Sequence, residues 1–496
     1  MLFNSFEFIY AFLPLTLAGW VLLGRARGNS PALGFLVLAS LVYYGWERPW
    51  HLPILLASCL FNHYAALRLA SLGRQGHTVA AGRLAGLAVA ANLGLLGYFK
   101  YTGFVLGNLN ACLDLNLSLP NLAWPLGISF FTFQQIAYLV DVRRGQHPES
   151  HLLNYLLFVT FFPKVLAGPI VRASQFLPQL GLSGLARPSQ RDLALGLALL
   201  VVGLFKKMAL AEDLVPVVQR AFGPASQGDL PEFYNAWLGV LAYTLQIYFD
   251  FSGYSDMALG VARMLGLRLP YNFASPYKSV SIAEFWRRWH MTLSYFLRDY
   301  LYIPLGGNRR GQARRYLNLV VTMLLGGLWH GAGWTFVIWG GLHGLFLALH
   351  QAWRRWVDKR WPRRRQGSAL GAWAGRLLTF FAVAMAWVFF RAPDLPSALA
   401  VFKGMLGLGQ MAPGPEAVSA FLSLAWRLAV VWFLPNSQEY VLGAASQAQT
   451  QEAPGEPAPW WRWRPSPLHL GVVLALGFWA LGKMVGQVGQ FLYYQF

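Results

Sequence analysis

Residues Gly326–Gly344 read GGLWHGAGWTFVIWGGLHG, a run apolar enough for lipid that nevertheless places a histidine, His330, between a tryptophan and a glycine. The basic residues Arg309, Arg310, Arg314 and Arg315 precede the run, and a second basic group starts at Arg354. Basic clusters at both ends put both ends on the cytoplasmic side. About 15 residues, Tyr316 to His330, would reach about 22 Å as helix at 1.5 Å per residue. A crossing needs about 30 Å. The segment is therefore expected to be a hairpin or broken helix pair whose turn, WHGAG, lies inside the bilayer zone. Gly326, Gly327, Gly331 and Gly333 clear side chains from the turn and allow close approach of backbone or substrate. A lone histidine in an apolar helix can be a packed core residue, but an ionisable group in a glycine-cleared turn at membrane depth is a functional candidate. Neutral imidazole can accept a proton from a hydroxyl near pH 7 or carry an acyl group as nucleophile. His343 lies thirteen positions on, roughly 220° around a straight helix, and is expected to be structural.

Outward from this stretch the composition agrees. Of 496 residues, 56% are hydrophobic, 16% aromatic and only 12% charged, against roughly 25% charged in soluble proteins. Uncharged runs recur from Phe8–Gly24 to Leu468–Gly482, and about eleven to thirteen segments approach spanning length. This defines an all-α polytopic membrane protein. The start carries Glu7 in place of a basic region and lacks a small-residue cleavage site, so it is not read as a signal peptide. Arg25 and Arg27 follow the first segment, which places the N-terminus outside. The net charge of +20 sits largely in short loops, where topology explains it better than nucleic-acid binding does. Cys59 and Cys112 show no metal-type spacing, and His147 with His151 lacks a third ligand, so no metal site is expected.

Residues 1–124 are expected to hold N-terminal helices, about four of them before residue 101, and 125–392 a catalytic core; 393–496 hold further helices interrupted by a polar insert at 446–467. FFPKVLAGPIVRASQFLPQL (Phe161–Leu180) mixes proline, lysine and glycine at membrane depth. Such broken backbone is tolerated only where it is buried in protein or lines a cavity. YFDFSGYSDMALG places Asp250 and Asp256 in an apolar setting, where carboxylates are costly. Pairing with Arg263 or Arg287 to brace the fold is one reading of them; coupling in a transporter is another, although no matching halves are visible. Further on, Phe285, Trp289, Phe296 and Tyr300 recur on one helical face, with Arg287, Arg288 and Arg298 elsewhere. This reads as one interfacial helix containing His290 and ended by Pro304 and the glycines after it.

Taken together, FFTFQQIAYLVDVRRG, FFPKVLAGPIVRASQFLPQL, DFSGYSDMALGVARMLG, FWRRWHMTLSYFLRDYLYIPLGGNRRG, GGLWHGAGWTFVIWGGLHG and WVFFRA (Trp387–Ala392) span most of the chain. In content and order they resemble the membrane-bound O-acyltransferase family, and within it the bacterial alginate O-acetyltransferase branch. The resemblance implies one transmembrane domain over 1–496: a helical funnel with re-entrant and interfacial helices around a central tunnel. It makes His330 the essential active-site residue and His290 the second polar position. It implies acetyl-CoA as the donor, entering from the cytoplasm, with no permanently bound cofactor. The acetyl group would pass outward across the bacterial inner membrane, through periplasmic acetyltransferase partners, to hydroxyls of an exported polysaccharide. Alginate is the first candidate acceptor, cellulose or peptidoglycan the alternatives, and D-alanyl transfer a more distant one. Trp329 and Trp334 are candidate walls of the thioester channel. Arg309 and Arg310 can pair with the phosphates of CoA, since guanidinium matches phosphate bidentately. Asp256, Arg287 and Asn308 complete the candidate substrate-binding set.

Overall fold

The computed structural model describes every residue except 27, 121, 362–367, 412, 415, 444–460, 465, 486–488, 490 and 493–496. The polar insert expected at 446–467 falls largely outside the described residues. The described residues form helices, turns and irregular segments, with no strand among them. Among the described residues, six helices are long and apolar enough to cross a membrane: Phe8–Ala26, Pro49–Arg74, Thr78–Leu113, Gln190–Ser226, Ala369–Arg391 and Pro467–Met484. Side chains such as Leu15, Leu378 and Phe478 point outward from them, as in a protein whose solvent is lipid. The protein is a multi-pass membrane protein. Other apolar segments counted in the sequence are shorter helices, such as Asn29–Gly45 and Ile128–Arg143, or helices with more polar faces.

The chain divides into two compact units, one of Met1–Leu204, Tyr254–Pro270 and Pro465–Tyr494, the other of Phe205–Gly253, Tyr271–Arg464 and Gln495–Phe496. In the first unit, the four apolar segments before residue 101 each form a helix. The stretch from Phe161 to Val171 is irregular and wholly buried, so the broken backbone read at Pro163–Pro169 is enclosed by protein. Buried Lys164 holds it, donating from Nζ to Gln134 Oε1 at 2.9 Å and to the carbonyl oxygen of Phe158. Asp256 is fully buried in this unit. Arg263 donates from Nε to Asp192 at 3.0 Å.

In the second unit Gln312–His330 and Trp334–Arg360 form an antiparallel hairpin. Its register is set by small residues: a Cβ at Gly327 would overlap the Phe336 carbonyl oxygen, one at Gly340 the Met323 carbonyl oxygen, and one at Gly344 would lie 2.8 Å from Val320 Cα. Glycine faces of this kind let membrane helices approach backbone to backbone. The break expected at WHGAG falls at Gly331–Gly333, whose backbone is extended. Space fixes the residue at 331, because a Cβ there would overlap the Phe336 ring.

The interfacial helix expected across 285–300 is instead two short helices, Ile282–Arg288 and Met291–Leu297, followed by the π-helical turn Arg298–Tyr302. The joint is His290, which takes left-handed angles of φ 40° and ψ 54°. The break brings Phe285, Trp289 and Phe296 into the interior. Asp250, too, differs from expectation. Lys207 pairs with it, with Nζ 2.5 Å from Asp250 Oδ1 and a second contact to Glu212. The charges face one another because Lys207 lies in a π-helical turn, Lys206–Ala211, beside the long helix Phe233–Met264.

Candidate active site

His330 is the last residue of the first hairpin helix and His290 the joint between two short helices, and the fold brings their rings to 6.4 Å, centroid to centroid. Both side chains are buried. A hydrogen bond from nitrogen to oxygen measures about 2.7–3.2 Å. Two imidazoles at this separation can therefore address the same reacting group from two sides.

The surroundings are aromatic. The Trp329 ring stands 4.9 Å from His330 and 6.1 Å from His290. Trp339 and Phe390 pack edge-on to His330 at 5.1 and 5.2 Å, and Phe251 edge-on to His290 at 4.8 Å. A further layer backs these rings: Trp387 stacks on Trp339 at 5.5 Å and meets Trp289 at 5.0 Å. The Trp387 indole N–H donates to Tyr277 Oη at 3.2 Å, and that hydroxyl donates to the Thr244 carbonyl at 2.6 Å. The box is thus rigid and of low dielectric, which strengthens any hydrogen bond or charge formed inside it.

Trp329, the first of the two candidate wall residues, is buried beside both imidazoles. Trp334 begins the second hairpin helix and is 57% exposed, and the indole facing the far side of His330 belongs to Trp339. Trp339 also meets His343 at 4.9 Å. His343 is fully buried and accepts a hydrogen bond at Nδ1 from Trp286 Nε1 at 3.3 Å. The helical-wheel separation of His330 from His343 does not apply, because the helix is interrupted between them; one indole separates the two imidazoles. Trp339, Phe390, Phe251 and Trp387 were not singled out in the sequence. The signal available was their place in quoted motifs: DFSGYSD for Phe251, WVFFRA for Trp387 and Phe390, and GGLWHGAGWTFVIWGGLHG for Trp339.

The remaining candidates lie on exposed surface or in the first unit. Asp256 belongs to the first unit. Arg287, Asn308, Arg309 and Arg310 are exposed. Asn308 accepts at Oδ1 from the Tyr302 hydroxyl at 2.6 Å. The loop carrying Arg309 and Arg310 turns through Gly306, Gly307 and Gly311, all at positive φ, which favours glycine. Asn318 of the hairpin pins it by donating to the Leu305 and Gly307 carbonyls at 3.3 and 3.2 Å. From Gln312 to His330 is 330 − 312 = 18 residue steps of one helix, or about 27 Å. The arginine loop and the histidine therefore mark opposite ends of one helix.

A buried pair of imidazoles in an aromatic box, carried by a multi-pass helical protein, has the chemistry for proton or acyl transfer. The family comparison specifies the class. Residues 143–388 match the model of the membrane-bound O-acyltransferase (MBOAT) family. The chain is 43% identical to a peptidoglycan O-acetyltransferase of Helicobacter pylori, with 82% of this chain and 80% of that protein covered. It is 41% identical to a probable alginate O-acetylase of Azotobacter vinelandii, covering 82% and 79%, and 40% identical to that of Pseudomonas aeruginosa, covering 82% and 75%. The chain belongs to the membrane-bound O-acyltransferase family, and it is an O-acyltransferase.

Proposed function

We propose that this protein takes acetyl from cytoplasmic acetyl-CoA and passes it across the bacterial inner membrane for O-acetylation of an exported polysaccharide. The observation that carries the reading is the His290–His330 pair, 6.4 Å apart inside the aromatic box. Neutral His330 accepts the proton of the attacking hydroxyl as its oxygen bonds to the thioester carbonyl carbon. The carbon–sulfur bond then breaks, and the proton returns to the departing thiolate. The alternative is attack by His330 itself, with a transient acetyl-imidazole. In either route His290 orients the acceptor or polarises the carbonyl. Arg309 and Arg310, with Asn308 beside them, offer a landing for the CoA phosphates. Trp329 and Trp339 wall the His330 end of the hairpin helix; Trp334, Arg287 and Asp256 are secondary candidates for substrate contact. The N-terminus lies on the periplasmic side, where separate acetyltransferase proteins would receive the acetyl group.

Alginate is one acceptor supported by the relatives. Peptidoglycan is the second, favoured by the 43% identity to a peptidoglycan O-acetyltransferase. The test uses purified protein in proteoliposomes with acetyl-labelled acetyl-CoA, following free CoA and label on alginate oligosaccharides or peptidoglycan fragments, with and without periplasmic partner proteins. Label on one glycan and not the other decides between the acceptors. Absence of CoA release under every condition contradicts the reading. Transport of a solute without CoA release would replace it with a transporter, although the Lys207–Asp250 pair supports a bracing role for that aspartate.

A further inference from the structure

His290 occupies the N-cap position of Met291–Leu297, yet its side chain makes no capping hydrogen bond. N-cap positions favour Ser, Thr, Asp or Asn, because the first N–H groups of a helix lack intrahelical acceptors. Here those donors are satisfied from elsewhere. The Asn272 carbonyl accepts from Met291 N at 2.9 Å, and Asn272 Oδ1 accepts from Thr292 N at 3.4 Å and from Thr292 Oγ1 at 2.6 Å. One turn earlier, Ala274 N donates to the Arg288 carbonyl at 3.0 Å. The segment around Asn272 thus grips the backbone on both sides of His290. Asn272, His290 and Thr292 are all buried. Phe273, next in sequence, packs edge-on to Trp289 and to Phe251, each at 5.0 Å.

A histidine at φ 40° is uncommon, and left-handed backbone costs an L-residue of this kind about 1–2 kcal/mol. Such angles persist only where the surroundings over-determine them. We propose that Asn272 is a positioning residue for His290. It caps the helix in place of the imidazole, through its carbonyl and through Thr292, and so fixes the backbone that sets the ring 6.4 Å from that of His330. The proposal rests on the role given to His290 above.

The experiment compares Asn272→Ala, Thr292→Val, Thr292→Ser and the Asn272→Ala/Thr292→Val double variant with wild type and His330→Ala. It measures kcat and KM for CoA release from acetyl-CoA, acetyl-CoA binding and unfolding temperature in detergent. Thr292→Val keeps the backbone N–H and the volume while losing the hydroxyl, so it remains informative if Asn272→Ala fails to fold. The expected result is a fall in kcat of about tenfold or more in Asn272→Ala and Thr292→Val, with KM and binding within about twofold of wild type. Thr292→Ser should recover most of kcat, and the double variant should be no worse than Asn272→Ala. The inference is overturned if Thr292→Val matches wild type in kcat while His330→Ala is inactive. It is also overturned if both variants lose only stability, with unchanged activity per folded molecule. Full activity in His330→Ala would overturn the site itself, and this proposal with it, a pattern distinct from the other two.

Discussion

Replacing Gly327 by alanine tests whether the hairpin register places the histidine. The added Cβ would overlap the Phe336 carbonyl oxygen and stand 3.1 Å from its carbonyl carbon and 3.2 Å from Gly340 Cα. All three are backbone atoms of the facing helix, which no rotamer change can move. Ordinary carbon contacts lie at about 3.5–4.0 Å, so the helices must part by about 1 Å. Overpacking a fitted interior costs about 1–3 kcal/mol. His330 lies three residues further along the same helix, and a shift of about 1 Å at a reacting group costs up to about 100-fold in rate. Gly326→Ala is the control: its Cβ would meet only the Leu297 side chain, at 3.1 Å, and that side chain can turn aside. Thermal unfolding in detergent and CoA release from acetyl-CoA, measured on both variants, should separate them. Gly327→Ala is expected to unfold several degrees lower and to turn over about 10- to 100-fold more slowly; Gly326→Ala should stay near wild type in both. Equal behaviour of the two variants would refute the argument that backbone contact at Gly327 sets the position of His330.

Lys207→Met should destabilise the protein by about 3–5 kcal/mol, because Asp250, 2% exposed, would lose its buried cation; adding Asp250→Asn should recover part of that, as read by chemical unfolding in detergent. Asp394 caps Leu395–Met405 by accepting at Oδ1 from the Ser397 hydroxyl and backbone N–H, at 2.5 and 2.8 Å. These bonds hold its carboxyl below the ordinary 3.8, the hydroxyl contributing most. A depressed folded value means stability that is present above the unfolded value and lost as pH falls through the folded one. Asp394→Ala should therefore cost about 1 kcal/mol near neutral pH and less once the pH is well below 3.8, as a pH series of unfolding temperatures would show.

Much of this was legible from local signals. Glycine on both sides of His330 announced the hairpin break, and proline with lysine in FFPKVLAGP announced irregular backbone under cover. The Trp289–His290 break was not legible, because nothing in FWRRWHMTLS forbids a continuous helix; the break depends on Asn272, eighteen residues upstream in the chain. Trp339 was missed for a similar reason. Which indole meets His330 depends on the hairpin register, and that register is set by Gly327 against Phe336 and Gly340 against Met323. For Asp250 the sequence offered an arginine such as Arg263 or Arg287 as a bracing partner. The partner it found, Lys207, is brought round by a π-helical turn that local composition does not reveal. Tertiary pairing, in each case, decided what periodicity could not.

The central claim is that His330 performs the chemistry. The most direct measurement is CoA release from acetyl-CoA by wild type and His330→Ala in the same membrane-reconstituted preparation, with acetyl-CoA binding and unfolding temperature recorded alongside. The account predicts that His330→Ala binds acetyl-CoA and stays folded, while turnover falls by a factor of about 100 to 10,000. Turnover within a few-fold of wild type in a folded, donor-binding His330→Ala protein would contradict it.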